Sequence, residues 1–202
     1  MTTPGPHTAF FYGTLMAPSV LYRVIYGNPK PTPAQIRQTT STSALLDGYQ
    51  RRKVRGCDYP AITTSEGGSV RGLLVTGLTD EHLDRLDTFE GFQYEREVVR
   101  VRVLREGDDG EEEIVEAETY VWDVEEGEGE EGGLEGEEWD FEEFQREKIH
   151  RWDGVLDWED SGFEDVDRMV AEMKEAAKND PTGGRAVNGK IGKELETLRS
   201  AV

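Results

Sequence analysis

Residues 9–19 read AFFYGTLMAPS: an aromatic run, a glycine, a short Thr-Leu-Met-Ala segment, then proline and serine. Ala9–Tyr12 suits a strand. Pro18 and Ser19 suit a helix start, because proline has no N–H to lose in a first turn. Val20, Leu21, Val24 and Ile25 follow at helical spacing, and Gly27-Asn28-Pro29 stops them. GTLMA is therefore the corner between a strand and a helix. Gly13 permits a tight backbone and lets another group come close. The N–H groups after it have no helical partner and lie beside the positive end of a helix dipole, a setting that suits a small carboxylate. On spacing alone an ordinary structural corner is the better fit, since the further glycines and the lysine of a phosphate loop are absent.

Beyond this corner the chain is dominated by strand signals. Residues 43–54, 59–64, 70–78, 97–104 and 116–124 are short, β-rich segments separated by Gly, Asp or Pro. Val99, Val101 and Val103 alternate with Arg100 and Arg102, the period of a half-buried strand. Helical segments are few and separated, so the expected class is α+β, a small mixed β-barrel flanked by a few helices. Residues 8–158 form the expected domain. Phe163, Val166, Val170, Met173 and Ala177 lie on one face of a predicted C-terminal amphipathic helix, within 159–179. Residues 180–202, rich in glycine, are expected to be a flexible tail.

The 202 residues include 43 acids and 23 Lys or Arg, a formal net charge of -20. Duplex binding depends on cationic contacts to phosphate, and anionic membranes attract basic segments, so neither partner is expected. Most of the acid excess lies in 106–147, and the Gly/Glu run at 125–138 is expected to be a solvated loop inserted in the domain. A calcium site would need the alternating oxygen ligands and turn glycine of an EF-hand loop, which this run lacks. A single cysteine, Cys57, rules out an intrachain disulfide framework. The N-terminus has no secretory pattern and no apolar run is long enough to cross a bilayer, so the expected setting is cytoplasmic. Oligomeric state is open.

The second segment with chemistry is TDEHLDRLDTFEGFQYERE, residues 79–97. Thr79 suits an N-cap, Asp80 and Glu81 a first turn, and Gly91 the position just past the end. Leu83 and Leu86 mark the buried face, and Glu90, seven residues after Leu83, shares it. Burial and the negative end of the helix both push its pKa upward, toward proton exchange near neutrality. The same spacing is compatible with a frayed end that leaves Glu90 in water or paired with Arg96. Tyr94 either lines the same space or starts the next strand. His82, in the first turn, is expected to be exposed, and Asp87 to be a surface or capping carboxylate. His7, His82 and His150 show no metal-ligand spacing, and Cys57 has no identifiable histidine partner.

FFYGTLM, YPAI, LDTFEGFQYEREVVRV and the later AETYVWD and WDFEEF together resemble the gamma-glutamylcyclotransferase-like superfamily, in its avirulence-induced-gene-like, gamma-glutamylamine cyclotransferase branch. The resemblance spans roughly 9–150. It implies the barrel fold, a YGTL-type loop that cradles a glutamyl group at Tyr12, Gly13, Thr14 and Leu15 with Met16 and Ala17 adjoining, and a proton-accepting glutamate at Glu90. It implies cyclisation of a gamma-glutamyl amide to 5-oxoproline, with neither metal nor cofactor. The alternatives are a metabolite-binding module without turnover, or an interaction protein working through the acidic loop.

Overall fold

The computed structural model describes residues 5–105, 113–123, 133–152 and 163–178. The chain divides into two compact units, 1–163 and 164–202. In the first, β1 (His7–Phe11), β2 (Thr40–Lys53), β3 (Pro60–Leu78), β4 (Tyr94–Val103) and β5 (Ile114–Trp122) close a barrel in the order β1-β3-β2-β4-β5. The pairings are antiparallel except β1 with β5, which meet in parallel at Ala9 and Glu118. β2 and β3 pair along most of their length, whereas β2 meets β4 only at Ala44–Val103 and Leu45–Arg102. The expected mixed barrel flanked by a few helices is the architecture observed.

Strand alternation sorts the opening aromatics. Phe10 and Tyr12 point into the barrel with Leu46, Val99 and Val101. Ala9 and Phe11 point to the other side, against Val20 and Val24 of α1 (Pro18–Tyr26) and Leu83 and Leu86 of α3 (Asp80–Glu90). A buried cation ties these two helices: the Arg85 guanidinium donates to the Val24 carbonyl. Gly27 caps α1 in the left-handed region, at φ 67°.

Several details depart from expectation. The expected segments 59–64 and 70–78 fall in one long strand, β3, running from Pro60 to Leu78, whose pairing with β2 shifts register between Asp47 and Tyr49. Gly48 and Gly67, at φ 84° and 73°, take up the irregularity. Two short helices join the expected ones. α2 (Pro33–Ile36) is held by a Thr32–Gln35 capping box, and α4 (Phe141–Glu147) is capped by Asp140. His82 is buried, not exposed: its ring accepts from the Thr79 N–H at 3.3 Å and meets Tyr26 edge to face.

Residues 133–138 of the acidic run lie bonded along the end of β2, with 136–138 exposed to solvent. The Glu135 N–H donates to the Lys53 carbonyl at 2.8 Å, and the Lys53 N–H to the Glu137 carbonyl at 3.1 Å. Basic side chains of β2 face the acids, Lys53 to Glu137 at 3.2 Å and Arg51 to Glu138 at 3.4 Å. The remainder of the expected loop, 125–132, and the tail, 180–202, lie outside the described residues. The C-terminal helix is present as α5 (Phe163–Lys178), whose residues from 164 onward belong to the second unit. Among the described residues no helix is long and apolar enough to cross a membrane.

Candidate functional site

β1 runs out at Phe11, and the chain turns through Tyr12 and Gly13 into a 3-10 turn at Thr14–Met16. Met16 N–H donates to the Gly13 carbonyl and Ala17 N–H to the Thr14 carbonyl, both at 3.0 Å. Those two donors are therefore spent in the turn, and only the N–H groups of Gly13, Thr14 and Leu15 precede its first bonds. The reason for glycine at 13 is proximity and not an unusual φ. A Cβ there would sit 2.8 Å from Pro60 Cγ. Pro60 opens β3 as the second residue of YPAI, so that motif and the glycine corner are pressed together. Arg51 fixes the corner from the other side, donating to the Tyr12 carbonyl at 2.9 Å.

A cavity of about 480 Å³ opens here. Tyr12, Gly13, Thr14 and Leu15 line it, and so do Glu90 and Tyr94. Met16 and Ala17 do not: Ala17 is fully buried in the helix-side core and Met16 is half-buried outside the cavity lining. The structure thus brings together six of the eight residues singled out in the sequence, from the corner, the end of α3 and the start of β4.

Glu90 is the last residue of α3, with Gly91 closing the helix at φ 73°. The helix does not fray before it. Arg96 is engaged elsewhere, with Asp87 at 2.9 Å and with Glu118, so the suggested Arg96–Glu90 pair does not form. Among the described residues no hydrogen bond or ion pair reaches the Glu90 carboxyl. Burial, and secondly the Asp87 carboxylate one turn back, push its pKa up to about 8.

The surrounding tyrosines leave this carboxyl alone because each spends its proton on another acceptor. Tyr12 donates to the Tyr120 carbonyl at 2.7 Å, Tyr94 to the Pro60 carbonyl at 2.9 Å, and Tyr120 to Asp87 at 2.8 Å. Asp87 is therefore more than a surface carboxylate: it bridges Tyr120 and Arg96 beneath Glu90. Burial raises the Tyr12 and Tyr94 phenols well above their ordinary range, so both remain neutral walls.

Sequence reasoning passed over Tyr59, Phe89, Tyr120 and Trp152, all of which line the cavity. Tyr59, Phe89 and Tyr120 stand inside the motifs YPAI, LDTFEGFQYEREVVRV and AETYVWD, whereas nothing local marks Trp152. Cys57 also lines the cavity, beside Tyr59, with no histidine on the lining. No group of three or more His, Cys, Asp or Glu among the described residues is placed to hold a metal ion.

The family described as "Gamma-glutamyl cyclotransferase, AIG2-like" matches residues 9–141, which include both the corner and Glu90. The chain belongs to that family. Among the family's proteins it is similar to Protein AIG2 C of Arabidopsis thaliana, 36% identical over 70% of this chain and 73% of that protein. It is 34% identical to AIG2-like protein D of the same plant, over 69% of this chain and 80% of that protein. A solution structure from Arabidopsis thaliana is similar at 30% identity over 91% of this chain and 94% of that one, with a TM-score of 0.48. The family span stops at 141, so the Arg151–Trp152 wall of the cavity comes from outside it.

Proposed function

We propose that the protein is a gamma-glutamylcyclotransferase that closes a gamma-glutamyl amide to 5-oxoproline and releases an amine. The observation that carries this reading is Glu90. It faces the same cavity as the glycine corner, has no protein partner among the described residues, and has a pKa pushed up to about 8. A carboxylate whose pKa is raised that far is a stronger base than an ordinary one, so taking a proton from the substrate's α-ammonium costs less than it otherwise would.

In this reaction the substrate supplies its own nucleophile. The Glu90 carboxylate takes a proton from the α-ammonium and frees the nitrogen lone pair. That nitrogen attacks the γ-carbonyl carbon, an N–C bond forms, and the bond from that carbon to the amide nitrogen breaks. The α-nitrogen loses two protons in all. The Glu90 carboxyl carries them in turn to the departing nitrogen, which leaves as an ammonium ion. The protein's contribution is to hold a folded, near-attack substrate, and effective molarities for such closures are large. The N–H groups of Gly13, Thr14 and Leu15, which precede the turn's first bonds, are suited to the substrate's α-carboxylate or to the oxygen that gains charge at the γ-carbon.

The test is 5-oxoproline release from a panel of gamma-glutamyl amides, gamma-glutamyl amino acids and glutathione. The wild-type kcat/KM is expected to rise with pH and level off above about 8, as Glu90 loses its proton. Glu90→Gln keeps the shape and removes the relay, with an expected loss of ~10²–10⁴-fold. Near-wild-type turnover by that variant would remove Glu90 from the chemistry.

A further inference from the structure

The cavity has two unlike parts. Tyr12, Thr14, Leu15 and Tyr120 form a buried floor beside the glycine corner. Tyr59, Phe89 and Trp152 are half-buried and form an aromatic wall. Trp152 meets Tyr59 edge to face at 6.3 Å and Phe89 at 6.2 Å. Behind it lie Phe144 at 6.1 Å and Phe163 at 6.5 Å, so the indole is held in place by rings on several sides. Asp58, also on the cavity lining, is engaged by Lys148 at 3.2 Å and by Arg151 at 3.4 Å.

A wall of this kind is not required by the cyclisation. Ring closure involves only the glutamyl part, which the corner and Glu90 accommodate on the floor. The cavity of about 480 Å³ falls in the range of ~300–1,000 Å³ that takes drug-sized ligands, and a glutamyl group alone does not fill it. The volume left over faces three rings, and rings select partners by apolar area and by edge-to-face or offset packing. We propose that Tyr59, Phe89 and Trp152 form the subsite for the departing amine, and that this subsite selects an amine carrying an aromatic or bulky apolar side. The inference rests on the cyclotransferase reading and specifies the substrate class.

The test compares gamma-glutamyl benzylamide with gamma-glutamyl ethylamide, which share the reacting group and differ only in the departing amine. Turnover is read as 5-oxoproline release, and binding as calorimetric titration of the same two amides. The expected result is a wild-type preference for the benzylamide of tenfold or more in kcat/KM. Trp152→Ala is expected to collapse the ratio toward one, and Trp152→Phe to restore most of it. If Trp152→Ala does not fold, Tyr59→Leu, which keeps apolar bulk and loses the ring, is expected to cut the ratio at least threefold. Turnover of both amides at equal efficiency by the wild type would overturn the aromatic subsite and leave the cyclotransferase reading intact. Preferential calorimetric binding of the benzylamide without 5-oxoproline would uphold the subsite and sink the reaction. Neither binding nor turnover would overturn both.

Discussion

Glu90 draws its properties from being enclosed without being paired. A carboxyl that burial holds protonated in the native state is ionised in the unfolded chain, so folding carries a penalty that depends on pH. Its pKa rises from 4.5 to about 8 on folding. A raised pKa means the native state binds the proton more tightly. The associated stability is fully present below about 4.5 and is lost as pH rises, until the loss levels off above about 8. Each unit is worth ~1.36 kcal/mol, and the opening toward the cavity moderates the total to an expected ~2–4 kcal/mol. Glu90→Gln removes the effect. Its melting temperature is therefore expected to gain on the wild type between pH 4 and pH 9, by ~4 °C or more at this chain length. A difference between the two proteins that stays flat across that range would mean that Glu90 is not held protonated. Glu90's position on the buried face was legible from its spacing to Leu83 and Leu86. That Asp87, Tyr120 and Arg96 bond to one another beneath it was not, because those contacts join α3 to β4 and β5.

At the scale of elements, the strand–corner–helix reading of residues 9–27 follows from local chemistry: proline at a first turn, glycine past a last one, and an apolar face between them. The reading missed that two turns stand in succession. Pro18 starts α1 only after Thr14–Met16 has made a separate 3-10 turn, and this takes up the N–H groups of Met16 and Ala17. The partner that explains Gly13 is also remote, since Pro60 lies at the head of another strand. Gly13→Ala places a methyl against that proline ring at 2.8 Å. Overpacking of this kind costs ~1–3 kcal/mol, and here the displaced atoms line the cavity. The expected result is a lower melting temperature together with a loss of kcat/KM of tenfold or more, measured on the same preparation. Unchanged values for both would show that the corner and Pro60 move apart freely.

The barrel as a whole depends on its parallel seam. β1 is short and meets β5 in parallel at Ala9 and Glu118, whereas β2 and β3 pair along most of their length. A fully buried hydroxyl reinforces the seam: Thr119 donates to the Phe10 carbonyl at 2.8 Å. Thr119→Val keeps the shape and orphans that acceptor, with an expected cost of ~1–3 kcal/mol in urea unfolding. Amide exchange is expected to quicken in β1 and β5 before it does in β2 and β3. A cost below ~0.5 kcal/mol would show that the backbone pairing alone closes the barrel.

Periodicity and end signals in the sequence marked most of the strands and helices and their apolar faces, and the family resemblance singled out Glu90 and the corner. Those properties depend on neighbours a few residues apart, where backbone geometry alone dictates which side chains share a face. Only the tertiary structure decided that Pro60–Leu78 is one strand, that 133–138 are bonded along β2, and that Trp152 completes a cavity begun by Tyr12. These outcomes depend on partners brought together by closing the barrel. A residue's own segment carries no record of which distant ring or carbonyl it will meet.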